Sequence, residues 1–175
     1  PGLPSSPWSY SYSAPTPSWA PCASGCTPTK TVSITDPRGY VTRHTYGTRF
    51  ANDEGQLLSL LEGYSGGGAV RTTTQRYRAP TAGPYPDVIG LNPDQRNDHY
   101  AGLVHTPLDR RVISQQGATF TWEATAFDVH ARATTIARSS SLGPARTETS
   151  VFSDHLDKWV LGQLGSVTEA STGAV

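Results

Sequence analysis

Gly63-Tyr64-Ser65-Gly66-Gly67 matches G-x-S-x-G, the spacing of a nucleophile elbow. In an elbow the serine sits on a strained strand-to-helix turn, with its Oγ exposed and backbone N–H groups aimed at the developing oxyanion. Asp98 with His105, or Asp128 with His155, follows Ser65 in the order Ser, Asp, His. Almost any chain of this length contains that order. After Ser65 come Gly66, Gly67 and Gly68, then the Thr-rich AVRTTTQRY; neither nucleates the helix that an elbow requires. Ser65 reads as a residue of a glycine-rich hairpin turn, and no catalytic residue is expected.

Metal and cofactor chemistry finds no better footing. His44, His99, His105, His130 and His155 are scattered, without the H-x-x-x-H or H-x-H spacing of a shared ion. Asp94, Asn97 and Asp98 offer oxygen ligands in the polar stretch NPDQRNDH, but a calcium loop's glycine and terminal glutamate are missing. Cys22 and Cys26 alone cannot complete a structural zinc site. Their spacing fits a small disulfide loop in an oxidising compartment or a pair of free thiols. No phosphate loop or dinucleotide fingerprint is present. The expectation is no metal and no cofactor.

Composition says what must position these residues. The 175 residues suffice for one sizeable core or two small ones. Only 16% are charged, below the typical ~25%. Fourteen bases balance fourteen acids, so no strong basic field exists to hold nucleic acid or an anionic membrane. No apolar run reaches the ~18–20 residues of a membrane helix, and the N-terminus lacks the shape of a signal peptide. The chain has no Met, so it reads as an internal piece of something longer.

Residues 1–29 carry no charge and seven of the fourteen prolines, with Trp8, Tyr10, Tyr12 and Trp19 interleaved among Ser and Pro. This predicts an irregular arm or linker. From Lys30 the grammar changes: Lys30–Thr35 alternates β-branched and polar residues, Asp36-Pro37-Arg38-Gly39 is turn chemistry, and Tyr40–Tyr46 places Tyr40, Thr42, His44 and Tyr46 on one strand face. Further strands are expected at Ala69–Tyr77, Arg111–Gln115, Ala118–Phe127, Thr134–Arg138, Arg146–Phe152 and Trp159–Thr168. Gln116-Gly117 is a hairpin turn between two of them, with Phe120, Trp122, Ala124 and Ala126 on one face. Gln56–Leu61 continues the pattern as an apolar run after Gly55; Leu57–Glu62 could also make a turn and a half of helix, too short to stand without packing support, and Asn92–His99 reads as a polar loop.

The segments after the turns share a loose unit. Gly39-x-x-Thr42-x-x-x-Tyr46 is one copy; Gly55-Gln56-Leu57-Leu58-Ser59 followed by Thr73-x-x-x-Tyr77 is a longer one; Phe127-Asp128-x-x-Ala131-Arg132-x-Thr134 opens a third, ending near Asp154. This resembles the YD-repeat, or RHS, family, whose unit runs approximately Tyr-Asp-x-x-Gly-Arg-x-Thr-x-x-x-Tyr. The stretches DPRGYVTRHTYG, SSSLGPARTETSVFSD and HLDKWVLGQLGSVT carry the resemblance, which spans about Lys30 to Thr168. The copies are degenerate: Gly47 and Arg78 stand where the unit has Asp, Phe127 replaces Tyr, and Ala131 replaces Gly.

The resemblance implies an all-β fold for residues 30–175, a YD-repeat hairpin array forming a patch of a larger β-shell. Its structural motif residues would be Asp36, Gly39, Thr42, Tyr46, Gly55, Thr73, Tyr77, Asp128, Arg132 and Trp159. It also implies a secreted or cell-surface setting, with partners in further RHS repeats and a C-terminal toxin or effector domain of the same parent. Some such shells cleave themselves through paired Asp-Pro-x-Gly elements; this chain has one copy, at Asp36, which reads as a turn residue. Twelve arginines against two lysines suit stacking on aromatics between strands, and could also bind sugar or acidic groups. A surface glycan-binding β module is therefore the alternative to the shell, and a Ser65 hydrolase a more distant one.

Overall fold

The structure is a computed structural model that describes residues 6–18, 25–50, 52–64, 68–86, 88–96 and 99–172. Ten strands form one antiparallel sheet and two form a separate hairpin. In chain order they are β1 (Ser9–Tyr12), β2 (Thr29–Thr35), β3 (Val41–Gly47), β4 (Leu57–Tyr64), β5 (Arg71–Tyr77), β6 (Val88–Arg96), β7 (His99–Val104), β8 (Leu108–Gln115), β9 (Ala118–Phe127), β10 (Ala133–Ser140), β11 (Ala145–His155) and β12 (Val160–Thr172). The large sheet is a meander, each strand pairing with the next in sequence, interrupted once: β5 pairs directly with β8, and β6–β7 pair with each other. Helix is confined, among the described residues, to two 3-10 turns, Pro80–Ala82 and Leu156–Lys158. The all-β expectation holds.

The sheet decides one open alternative and displaces two local expectations. Leu57–Leu61 is strand, not helix, because β3 and β5 flank it and take up its backbone groups. Ser9-Tyr10-Ser11-Tyr12, inside the stretch read as an arm, alternates with period two and contains no proline. It pairs in register with β2, from Ser9 opposite Thr35 to Tyr12 opposite Val32. The polar stretch Asn92–His99 is divided between β6 and β7, with Asn97 and Asp98 outside the described residues.

Very little is buried. Among the described residues Tyr85, Ala124 and Phe127 form a cluster of buried apolar side chains, at 5%, 3% and 8% exposure, and Thr73 is buried and polar at 7%. The Tyr85 ring meets Phe127 and His105 edge-on, at 6.2 and 5.5 Å between centroids. Ala124 and Phe127 are three apart, an odd spacing that a regular strand would send to opposite faces. Register shifts between Ala133 and Ile136 on β10 break the alternation opposite this stretch and let both reach the cluster. Gly83 is required beside it, since a Cβ there would collide with the Tyr85 ring. Both outer strands leave their far edges unpaired among the described residues: β1 carries exposed Tyr10 and Tyr12, and β12 exposed Val160, Leu161, Leu164 and Val167.

One turn recurs three times. In Asp36–Tyr40 the Asp36 N–H donates to the Tyr40 carbonyl at 2.9 Å and the Gly39 N–H to the Asp36 carbonyl at 2.9 Å. Asp36 Oδ1 accepts from the N–H groups of Arg38 and Tyr40, at 2.8 and 2.9 Å. Asp128–Arg132 repeats the pattern bond for bond, with Oδ1 accepting from His130 and Arg132 at 2.9 and 3.0 Å. Ser140–Pro144 repeats it with a shorter side chain: Ser140 Oγ accepts from the Leu142 N–H at 3.1 Å, and Pro144 has no N–H to offer. The fourth residue has positive φ in each: 89° at Gly39, 59° at Ala131 and 109° at Gly143.

The β8–β9 hairpin uses a different, two-residue loop, Gln116-Gly117, with both φ positive, 52° and 77°. That is a type I′ geometry, for which Asn-Gly is preferred. Gln116→Asn should therefore raise stability by about 0.5–1 kcal/mol. Gly39→Ala, where an added Cβ would meet nothing within 4 Å, should lower it by about 1 kcal/mol through conformation alone. Urea midpoints of the two variants against the parent chain check both signs.

Candidate functional site

Arg132 is the most heavily engaged side chain in the sheet. It leaves the Asp128 turn and reaches across to β11, where Nη1 and Nη2 donate to Asp154 Oδ1 and Oδ2 at 2.8 and 2.7 Å. Its Nε donates to Asp128 Oδ2 at 2.6 Å, and the guanidinium lies over the Phe152 ring at 4.6 Å. Asp154 also accepts from the Gly162 N–H at 2.7 Å, and His130 Nε2 stands 3.7 Å from it. Gly162 has φ 74°. One arginine thus ties a turn, β11 and β12 together through a two-pronged carboxylate contact, the geometry in which arginine outperforms lysine.

The electrostatics follow from these contacts. The Arg132 side-chain hydrogen bonds, then the Gly162 N–H, hold the Asp154 carboxyl far below its ordinary range. Burial works upward on Asp128 but is outweighed by hydrogen bonds from Arg132 and the His130 backbone, so it too is lowered. Asp154, chiefly, raises Arg132. A carboxylate so stabilised in its charged form is a poor proton acceptor, and the cluster is built to cross-link strands.

The other motif residues are spread along the sheet. Asp36 and Gly39 make the β2–β3 turn, and Arg38 folds back on Asp36 Oδ2 at 3.0 Å. Tyr46 stacks on His44, with ring planes 4° apart and centroids 6.1 Å apart. Gly55, φ 79°, donates its N–H to the Gly47 carbonyl at 3.0 Å, in the loop between β3 and β4. Thr73 is buried at mid-sheet between Leu60 and Ile113. The Tyr77 hydroxyl donates to the Leu57 carbonyl at 3.2 Å, and burial raises its pKa. Thr42 pairs with Ile34 on β2. Trp159 is 77% exposed with left-handed backbone at the β11–β12 loop. Of the ten, Asp36 and Gly39 share one turn and Asp128 and Arg132 another; the ten do not converge on one site.

Ser65 lies outside the described residues, as do Cys22, Asn97 and Asp98. The element after the Ser65 loop is the strand β5, antiparallel to β4. Cys26 is disulfide-bonded. No group of three or more His, Cys, Asp or Glu suited to a metal ion occurs among the described residues. None of their helices is long and apolar enough to cross a membrane.

The sequence does not announce a groove on the open face of the sheet. A groove of about 730 Å3 opens on one face of β8–β12, lined by Arg111, Ile113, Phe120, Trp122, Arg138 and Arg146 among others. Four of these share one line of the register: Arg111 opposite Trp122, Trp122 opposite Arg138, and Arg138 opposite Arg146. Two arginines face to face would repel. Glu148 relieves this by accepting from Arg138 at 3.0 and 3.2 Å and pairing with Arg146 at 2.8 Å. Arg138, chiefly, holds Glu148 below its usual range. The signal in the sequence was the Arg146-x-Glu148 alternation, which becomes meaningful only once β10 is known to lie alongside.

No family model, curated protein or solved structure matches the chain.

The Asp154 pKa is lower in the folded chain than its ordinary 3.8, so its contribution to stability is complete well above that value and is lost as pH falls below it through the lower folded-state pKa. The urea midpoint should hold steady from about pH 7 to 5 on this account and drop between about pH 4 and 2. Asp154→Asn should lower the midpoint at neutral pH and flatten the acid limb. An acid limb of unchanged steepness in that variant would remove Asp154 from the explanation.

Proposed function

We propose that the chain is a structural segment of an RHS-type secreted or surface protein. In this reading it is a patch of wall in a larger β-shell that encloses or presents a C-terminal toxin or effector, and it has no catalysis of its own. The observation that carries the reading is the recurring turn. Asp36-x-x-Gly39-Tyr40 and Asp128-x-x-Ala131-Arg132 have the same hydrogen bonds and the same positive φ, and they fall where the repeat unit has Asp-x-x-Gly-Arg. A repeat defined by such a turn supplies a strand pair that cannot bury its own face, and arrays solve that by stacking neighbours.

The burial pattern supports the same reading. A ten-stranded sheet on which Ala124 and Phe127, with Tyr85 from a loop, are the buried apolar side chains among the described residues has too little core to stand as an ordinary globular domain. Its outer strands β1 and β12 present apolar side chains and unpaired backbone groups, which isolated proteins usually cover or blunt. The Cys26 disulfide supports an oxidising, extracellular setting.

The test compares the isolated chain with a version extended by several native repeats on each side. The extended protein should have a clearly higher denaturant midpoint, with slowed amide exchange in β1 and β12. An isolated chain that is monomeric, cooperative and equally resistant would defeat the shell reading.

A further inference from the structure

We infer that the groove on β8–β12 is a binding site for an acidic oligosaccharide carrying carboxylate groups. The inference stands whether or not the sheet is part of a shell. Trp122 lines the groove, partly buried and packed against the Tyr85, Ala124 and Phe127 cluster, and Phe120, exposed on the same face two residues away, extends the aromatic surface. Flat aromatic surface open to solvent is what the apolar face of a sugar ring stacks on. Arg111 and Arg138 are paired with Trp122 from opposite sides, on strands two apart, so they stand about 10 Å from one another across the ring. That places a cation at each end of the platform, a span suited to carboxylates on neighbouring or alternate sugar units.

The charge balance favours an anion. Three arginines line the groove and none of its lining residues is acidic. Arg138 and Arg146 share Glu148, and Arg146 also reaches Glu169 at 3.6 Å. Arg111 pairs with no carboxylate among the described residues; its Nε donates to the Gln75 amide oxygen at 3.3 Å. Its remaining N–H donors are available to a carboxylate in the two-pronged geometry arginine prefers. Ser140 and Ser171 add hydroxyls at the rim for sugar hydroxyls. The volume, about 730 Å3, lies within the range of small-ligand sites. Nucleic acid fits less well, because the chain as a whole carries no net positive charge. An extended peptide would add to the free edges of the sheet in preference to lying across its face.

The experiment is calorimetric titration of the full native protein with four probes: oligogalacturonate, a carboxylate-free dextran sulfate oligosaccharide, neutral cellohexaose and poly-glutamate. Oligogalacturonate should bind, with an affinity that falls as salt rises, and cellohexaose and poly-glutamate should bind at least about tenfold more weakly. Arg111→Ala should weaken oligogalacturonate at least about tenfold, and Arg111→Lys should not restore it fully. Arg110→Ala, whose side chain alternates to the opposite face of β8, should leave binding unchanged. Trp122→Ala should abolish binding; should that variant misfold, exposed Arg111 carries the test. Equal or tighter binding of dextran sulfate or poly-glutamate would show a response to charge alone and overturn the assignment. Absence of binding, or binding indifferent to Arg111→Ala, would overturn it too.

Discussion

A side-chain oxygen that accepts backbone N–H groups across a five-residue turn sets the geometry on which this sheet depends. In most antiparallel sheets one face is buried, and a slip of one residue would throw the apolar set into water, so the core enforces register. Here almost no side chain is fully buried, and that enforcement is weak. The register must be written locally. Asp36, Asp128 and Ser140 do so by fixing the last residue of one strand against the first of the next, and Gln116-Gly117 does so by a two-residue loop. The positive φ at Gly39, Ala131 and Gly143 is the conformational cost of that closure.

Cross-strand charge completes what the turns begin. Arg132 joins its own turn to β11, and Asp154 passes the connection to Gly162 on β12. Arg76 reaches both Asp109 and Glu123, and Glu148 holds Arg138 and Arg146. Each exposed pair contributes little alone, but opposite charges placed across a ladder discriminate against slipped pairings. The same arrangement leaves arginines and a tryptophan displayed in one line on an open face. A sheet that hides few side chains has many available for contact.

Period-two alternation made most strands legible, and the meander followed from short turns between them. Asp36-Pro37-Arg38-Gly39 and Gln116-Gly117 were readable because turn chemistry is local. Leu57–Leu61 was not, since an unbroken apolar run fits helix and strand alike and its flanking strands decide between them. Ser9–Tyr12 was hidden by the prolines around it, although its own four residues alternate cleanly. At the sites, Asp128 and Arg132 were visible as parts of one motif, but the Asp154 partner lies 22 residues on and depends on β11 pairing. The line from Arg111 through Trp122 and Arg138 to Arg146 joins four strands, and no linear spacing announces it.

If turns and ladders rather than a core hold the sheet, damage to one turn should stay near it, as in quasi-one-dimensional repeat structures. The most direct measurement is residue-resolved hydrogen exchange in Asp128→Ala. The account predicts that amides of β9 to β12 lose protection while β2 and β3, closed by Asp36, keep theirs. A uniform loss across all ten strands would show one cooperative unit held by a common core, and would contradict it.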